Sequence, residues 1–189
     1  MYLTGTAKAV KETEEISGDN FSFFEAGDGN LTAVLSDGMG SGREACQDSE
    51  AVTDMAESML ESGVPPKMAA ALMNSAVANG GTGERLPTLD MCSIDLYEGE
   101  CLFLKTGAAA SFIKHGNRVE VIEEAALPLG AFGRMDPVLE KRSFSDGDYI
   151  ILMTDGMLEG WAGGDGIARL SRFLSGTEAS SPGQLANVL

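Results

Sequence analysis

Two aspartates stand at the same kind of place in this chain. In Val34-Leu35-Ser36-Asp37-Gly38 and in Leu152-Met153-Thr154-Asp155-Gly156 an apolar, strand-like stretch ends in Asp-Gly, and the two carboxylates lie 118 positions apart. A carboxylate at the end of a buried strand must be paired or metal-bound, because an isolated buried charge is costly. The glycine behind it lets the chain turn sharply and brings backbone oxygens close to whatever the carboxylate holds. Two such ends side by side make a hard-oxygen site suited to Mg²⁺ or Mn²⁺. A single Asp-Gly is ordinary turn chemistry. The recurrence in matched strand context is what points to function.

Other chemistries have little to work with. His115 is the only histidine and there is no CxxC pair, so a zinc site lacks ligands. A Ser-His-Asp triad would need His115, which sits in the turn-like Lys114-His115-Gly116-Asn117 and reads as a solvated turn residue. Nucleotide binding at Gly38-Met39-Gly40-Ser41-Gly42 fails on spacing, since a GxGxxG loop needs glycine where Arg43 stands, and no Gly-Lys-Ser/Thr follows. With 13 basic and 29 acidic residues the net charge is −16, which repels nucleic acid and anionic membranes. No apolar run approaches the roughly 18 residues of a membrane span, and the first residues have no signal-peptide pattern. Three cysteines, Cys46, Cys92 and Cys101, fit a reducing, cytoplasmic compartment.

The elements that must position these residues follow from periodicity. Apolar stretches over residues 2–10, 16–24 and 31–35 alternate with turn chemistry, and Gly27-Asp28-Gly29-Asn30 reads as a hairpin turn. From Arg43 the period becomes helical, with Val52, Met55, Ala56, Met59 and Leu60 on one stripe. Pro65-Pro66 open a second helix with Ala69, Leu72, Met73 and Ala76 inward, and Asn79-Gly80-Gly81 stops it. The methionines Met39, Met55, Met59, Met68 and Met73 read as core filler. Strand alternation returns at Cys92, Ile94 and Leu96, with turns at Glu98-Gly99, His115-Gly116-Asn117 and Asp146-Gly147-Asp148, the last two read as hairpins. The run over 149–153 reads as a strand buried on both faces. A helix with Ile167, Leu170 and Leu174 follows, and Ser181-Pro182-Gly183-Gln184 is a capping box. Length and the lack of linkers or repeats predict a single domain over 1–189, and an apolar ending in mid-helix suggests a chain truncated at its C-terminus.

The ordered motifs Ser17-Gly18-Asp19, Leu35-Ser36-Asp37-Gly38-Met39-Gly40-Ser41-Gly42, Pro87-Thr88-Leu89-Asp90, Lys105-Thr106-Gly107-Ala108-Ala109 and Thr154-Asp155-Gly156-Met157-Leu158-Glu159 resemble those of bacterial metal-dependent serine phosphatases. These form part of the 2C-type (PPM) superfamily, and the nearest likeness is to catalytic domains of the stage II sporulation protein E kind. The resemblance implies an α/β (α+β) fold: an α-β-β-α sandwich of two mainly antiparallel sheets flanked by helices, here lacking its C-terminal strand. It implies that Asp37 bridges two divalent ions, Mn²⁺ or Mg²⁺, with the Gly38 carbonyl on one, Asp155 on the other and Asp19 beside them. Such a pair activates a water for in-line attack on phosphorus.

The implied substrate is phosphoserine on a regulatory protein, an anti-sigma-factor antagonist. The implied setting is the cytoplasm, with this domain the soluble part of a membrane-anchored parent and making no membrane contact of its own. Helices over 43–81 that switch activity, often through dimerisation, imply a homodimer. Three departures stand out. Family members carry a further metal-binding aspartate in a final Asp-Asp/Asn-Met-Thr strand, and nothing like it follows Gln184 in this sequence. Met39 occupies the position where many 2C-type enzymes have histidine, so no side chain there protonates the leaving group. Their phosphate-binding arginine has no clear match, and Arg43 is the substitute candidate. The alternative reading is a catalytically inactive PPM-fold interaction module.

Overall fold

The computed structural model describes residues 2–10, 16–80, 85–161 and 165–189. Its first sheet runs β1 (Asp19–Glu25), β2 (Leu31–Asp37), β3 (Leu89–Asp95), β4 (Glu100–Thr106), then β7 (Glu140–Ser143). A second sheet has β5 (Ser111–His115) between β6 (Arg118–Ile122) and β8 (Tyr149–Ile151). Every pairing is antiparallel. The helices are α1 (Gly42–Glu61), α2 (Pro66–Gly80), α3 (Asp155–Glu159), α4 (Gly166–Gly176) and α5 (Pro182–Val188).

Strand alternation sorts the side chains into layers. On one face of the first sheet Phe24, Val34, Leu89, Met91 and Leu104 pack under α1 and α2, against Val52, Ala56, Leu60, Ala69 and Met73. On its other face Leu31, Cys92, Ile94, Cys101 and Phe103 meet Ile113 and Ile122 of the second sheet. Phe112 points the opposite way from Ile113 and packs with Leu170 and Leu174 of α4 and Leu185 of α5. The order is therefore α-β-β-α, as the resemblance implies. Each fully buried Leu, Phe or Met in these layers contributes roughly 1.5–3 kcal/mol.

Several expectations need correcting. Residues 2–10 form no strand, and β1 begins only at Asp19. The inner face of α2 is Ala69, Ala70, Met73 and Asn74, whereas Leu72 and Ala76 face solvent. Asn74 explains the rotation: its Oδ1 accepts from Gly130 N and its Nδ2 donates to Phe132 O, both at 2.9 Å, so a polar side chain is satisfied inside. Gly81, the proposed stop of that helix, lies outside the described residues. Met39 and Met68 are exposed and fill no core.

Strand β8 ends at Ile151 and is only half-buried, because it pairs with β5 alone at the edge of its sheet. Its apolar run is still accounted for, since Ile150 meets the inter-sheet core while Tyr149 and Ile151 meet the helical layer. The Asp146-Gly147-Asp148 turn is no hairpin, because it carries the chain from β7 in one sheet to β8 in the other. His115 is not a solvated turn residue. It ends β5 half-buried, with Nδ1 2.6 Å from Asp148 Oδ2 and Nε2 3.7 Å from Glu120 Oε2. At α5 the Ser181 side chain accepts from Gln184 N at 3.2 Å, but the Gln184 side chain reaches one residue further back than a capping box requires, to Ser180 N at 2.7 Å. All three cysteines are free thiols.

Candidate active site

One end of the sandwich gathers the aspartates. Asp19 opens β1 and Asp37 closes β2, and the antiparallel register makes them direct cross-strand partners. Asp155 arrives from the second sheet, as the first residue of α3 shortly after β8. Thr154, the residue before it, donates from Oγ1 to Asp19 Oδ2 at 3.2 Å, which ties the two sheets together at this point.

Asp37 is held from both sides. Its N–H donates to Thr88 Oγ1 at 2.8 Å, its carbonyl accepts from Thr88 N at 2.9 Å, and Ser36 Oγ donates to Thr88 O at 2.7 Å. The turn beyond it is pressed onto α1. A Cβ on Gly38 would stand 2.0 Å from Ala45 O, so no side chain fits at that position. Gly40 and Gly42 then take φ of +90° and +75°, the left-handed region that favours glycine. The start of β1 is tied to the same helix, with Asn20 Nδ2 donating to Cys46 O at 2.9 Å and Ser49 Oγ donating to Gly18 O at 2.5 Å.

The electrostatics are those of crowded carboxylates. Burial pushes Asp37 up to about 8 from an ordinary 3.8, helped by the Asp19 charge and by side-chain contacts with Asp155 and Asp19. Lys8 reaches this end of the sheet, but its Nζ donates to the Asp19 backbone oxygen at 2.5 Å and not to a carboxylate. A cavity of about 20 Å³ opens between the aspartates, lined by Asp37, Thr88, Asp90, Thr154, Asp155 and the 107–109 turn among others. That turn depends on Gly107 at φ +62°, where a Cβ would meet Pro128 at 2.5 Å.

Sequence reasoning missed a buried polar group beside this cavity. Asp90 on β3 and Lys105 on β4 are cross-strand partners on the inter-sheet face, with Nζ to Oδ2 at 2.5 Å. Ser111 of β5 joins them, donating to Asp90 Oδ2 at 2.6 Å, and accepts from Lys105 Nζ at 2.7 Å. Burial pushes Asp90 up and Lys105 down, each offset in part by the other's charge. The signal was available in Leu89-Asp90 and Leu104-Lys105, where a charge interrupts an alternating apolar strand face. Arg43 is exposed on the first turn of α1 and has no ion pair among the described residues. Met39 is exposed at 54% on the glycine turn, beside the carboxylates in sequence but with no proton to give.

The sequence profile of the family named Stage II sporulation protein E (SpoIIE) matches residues 27–189. This chain belongs to the stage II sporulation protein E family. Stage II sporulation protein E of Bacillus subtilis (strain 168) is 35% identical over 195 residues, covering 98% of this chain and 23% of that protein. The chain spans about a quarter of the length of the curated relatives it matches. Among solved structures, the PP2C phosphatase domain of B. subtilis SpoIIE, with a fragment of its regulatory domain, superposes with a TM-score of 0.90 at 34% identity. It covers 98% of this chain and 54% of that one. RsbX in complex with magnesium shares the fold at 21% identity and a TM-score of 0.70, over 94% of this chain and 81% of its own. The sandwich described above is thus the fold of a PP2C-type phosphatase domain of the SpoIIE family.

Proposed function

We propose that this domain hydrolyses phosphoserine on a regulatory protein of the anti-sigma-factor antagonist class, using divalent cations held by Asp19, Asp37, Asp155 and the Gly38 carbonyl. The observation that carries this reading is the meeting of the Asp19 and Asp155 carboxylates with that of Asp37, of which Asp37 and Asp155 line a cavity wide enough for water, in a chain of this family. A divalent cation fits the group chemically. The donors are hard oxygens, and Asp37 sits at about 8 because burial and neighbouring carboxylates disfavour its charge, a penalty that a cation removes. Among the described residues no three His, Cys, Asp or Glu side chains close a cage by themselves. Backbone oxygen and water would complete the shell, as is usual for Mg²⁺.

When bound, two Mn²⁺ or Mg²⁺ ions supply a water acidified for in-line attack on phosphorus. The chain does the rest. Asp37 is held rigid by Thr88 on one side and by the Gly38–Ala45 contact on the other. Thr154 keeps the Asp19 carboxylate turned inward toward the second sheet. Arg43, exposed at the end of the glycine turn, offers a guanidinium to the phosphate. Met39 holds no ionisable proton, so the serine leaving group takes its proton from solvent. No cysteine or histidine nucleophile is required, and none lines the aspartates' cavity among the described residues.

We place the domain in the cytoplasm, as a homodimer. No helix among the described residues is long and apolar enough to cross a membrane. The rival, an inactive interaction module, has less support, because nothing but chemistry calls for three mutually repelling carboxylates in one place. Incubation with a serine-phosphorylated anti-sigma-factor antagonist tests the proposal. Phosphate release should need Mn²⁺ or Mg²⁺ and stop with a chelator, and absence of release at any metal concentration would favour the rival.

A further inference from the structure

Asp90 is 1% exposed, and its two carboxylate oxygens are treated very differently. Oδ2 is saturated, taking Lys105 Nζ at 2.5 Å and Ser111 Oγ at 2.6 Å. Oδ1 is just as buried and has no protein partner. Leaving a charged acceptor unsatisfied costs more than leaving a neutral one so. A pair serving stability alone would do as well or better as two packed apolar side chains. Asp90 also lines the cavity that Asp37, Thr88, Thr154 and Asp155 line. That cavity, at about 20 Å³, exceeds the roughly 10–15 Å³ one water needs, and it offers the two to four polar partners a buried water requires. Lys105 cancels the Asp90 charge, so Asp90 brings an acceptor to the cavity without adding to the repulsion among the other three carboxylates.

We propose that Asp90 is a positioning residue of this site: its Oδ1 anchors a water in the cavity shared with Asp37 and Asp155, and through that water it fixes the cation these carboxylates bind. The inference rests on the metal-dependent reading above. It extends that reading to a residue on β3 and to a buried polar group that bridges the two sheets through Ser111. Outer partners of this kind set ligand orientation and hydration, and losing one commonly weakens metal binding about 10–100-fold.

The test is Mn²⁺ titration of the whole chain, read by calorimetry or by the electron paramagnetic resonance of free ion, alongside urea unfolding without metal. Asp90→Asn keeps the shape, but with its amide oxygen facing Lys105 it turns a donor toward the cavity. Mn²⁺ affinity should fall about tenfold or more. Asp90→Leu combined with Lys105→Met replaces the pair by apolar volume, keeps the urea midpoint near the parent's and should show the same loss of affinity. A merely structural role would instead let affinity recover together with stability. Either variant, folded and binding Mn²⁺ within twofold of the parent, overturns the assignment of Asp90 and leaves the metal-dependent reading standing. A parent chain that binds no Mn²⁺ overturns both.

Discussion

Asp19 and Asp37 are Cα partners across the β1–β2 ladder, so the fold sets two like charges directly opposite each other at the end of a sheet. Such a pair is destabilising on its own, and Asp155, at the start of α3, adds a third carboxylate. The molecule tolerates the arrangement through one protonation, or through a bound cation. Which of the two applies is set by conditions, and this makes the repulsion measurable.

The first measurement is stability against pH in the absence of metal. Asp37 sits at about 8 in the folded chain against an ordinary 3.8, so the native state holds a proton that the unfolded state releases between these values. Its contribution is fully present below about pH 4 and is lost as pH rises toward about 8. The urea midpoint of chelator-treated protein should decline over that window relative to Asp37→Asn, which carries no proton to lose. Parallel curves for the two proteins would contradict the assignment.

Asp37→Asn should abolish Mn²⁺-dependent phosphate release while leaving the far-UV circular dichroism unchanged. The loss should exceed the 10–100-fold typical of outer partners. Asp155→Asn should come close to it. Activity within a few-fold of the parent in Asp37→Asn would remove Asp37 from the chemistry.

Two glycines in the same motif context should behave oppositely. Gly38→Ala puts a Cβ 2.0 Å from the Ala45 backbone oxygen, so α1 must move, and the cost should reach or pass about 1–3 kcal/mol. Gly156 has nothing within 4 Å of an added Cβ and lies in α3, so Gly156→Ala should be neutral or stabilise by up to about 1 kcal/mol. Urea unfolding of both variants checks the contrast.

Thr88→Val removes the acceptor of the Asp37 N–H without changing shape. That donor is part-buried, so its loss of a partner should cost about 1 kcal/mol or more, near the lower end of the about 1–3 kcal/mol of a fully buried one. Thr154→Val removes a half-buried 3.2 Å bond and should cost about 1 kcal/mol or less. The reverse order of cost would mean that the inter-sheet tie, and not the β2–β3 tie, holds the site.

His115→Ala should lower the melting temperature through loss of the Asp148 contact, worth about 1 kcal/mol, while Asp148 keeps its bond from Ser145 N. Phosphate release per folded molecule should not change. His115 lies four residues along β5 from Ser111, about 13 Å at strand rise. A large loss of turnover would reopen His115 as a catalytic group.

The strands, the helices and two of the aspartates, Asp37 and Asp155, leave local traces, whereas the α-β-β-α layering and Asp19 come only from the resemblance of the ordered motifs. Period-two and period-3.6 patterns fix which face of Val34, Leu89 or Val52 is inward, and Asp-Gly after an apolar run marks a strand end. What escaped were side chains whose partners are remote. Asn74 lies off the inward stripe that periodicity gives α2, and it faces inward because the 130–132 backbone satisfies it. His115 looked like a turn residue because Asp148 is 33 positions away. Asp90, Lys105 and Ser111 were visible as letters, but their convergence needs two sheets in register and in contact. Local periodicity carries no information on which distant segment satisfies a buried polar atom.

The Thr154–Asp19 bond joins residues 135 positions apart, one opening β1 in the first sheet and one capping α3 just beyond β8 of the second. Neither sheet can build the carboxylate cluster alone, so the cluster forms only once the two sheets have docked. An ion that needs all three aspartates therefore has nothing to hold until the sheets have docked. Where that docking follows the transition state, such an ion slows the unfolding of the finished molecule far more than it speeds refolding. Metal supply would then govern how long a folded molecule persists, and would have little influence on how quickly a new one is made.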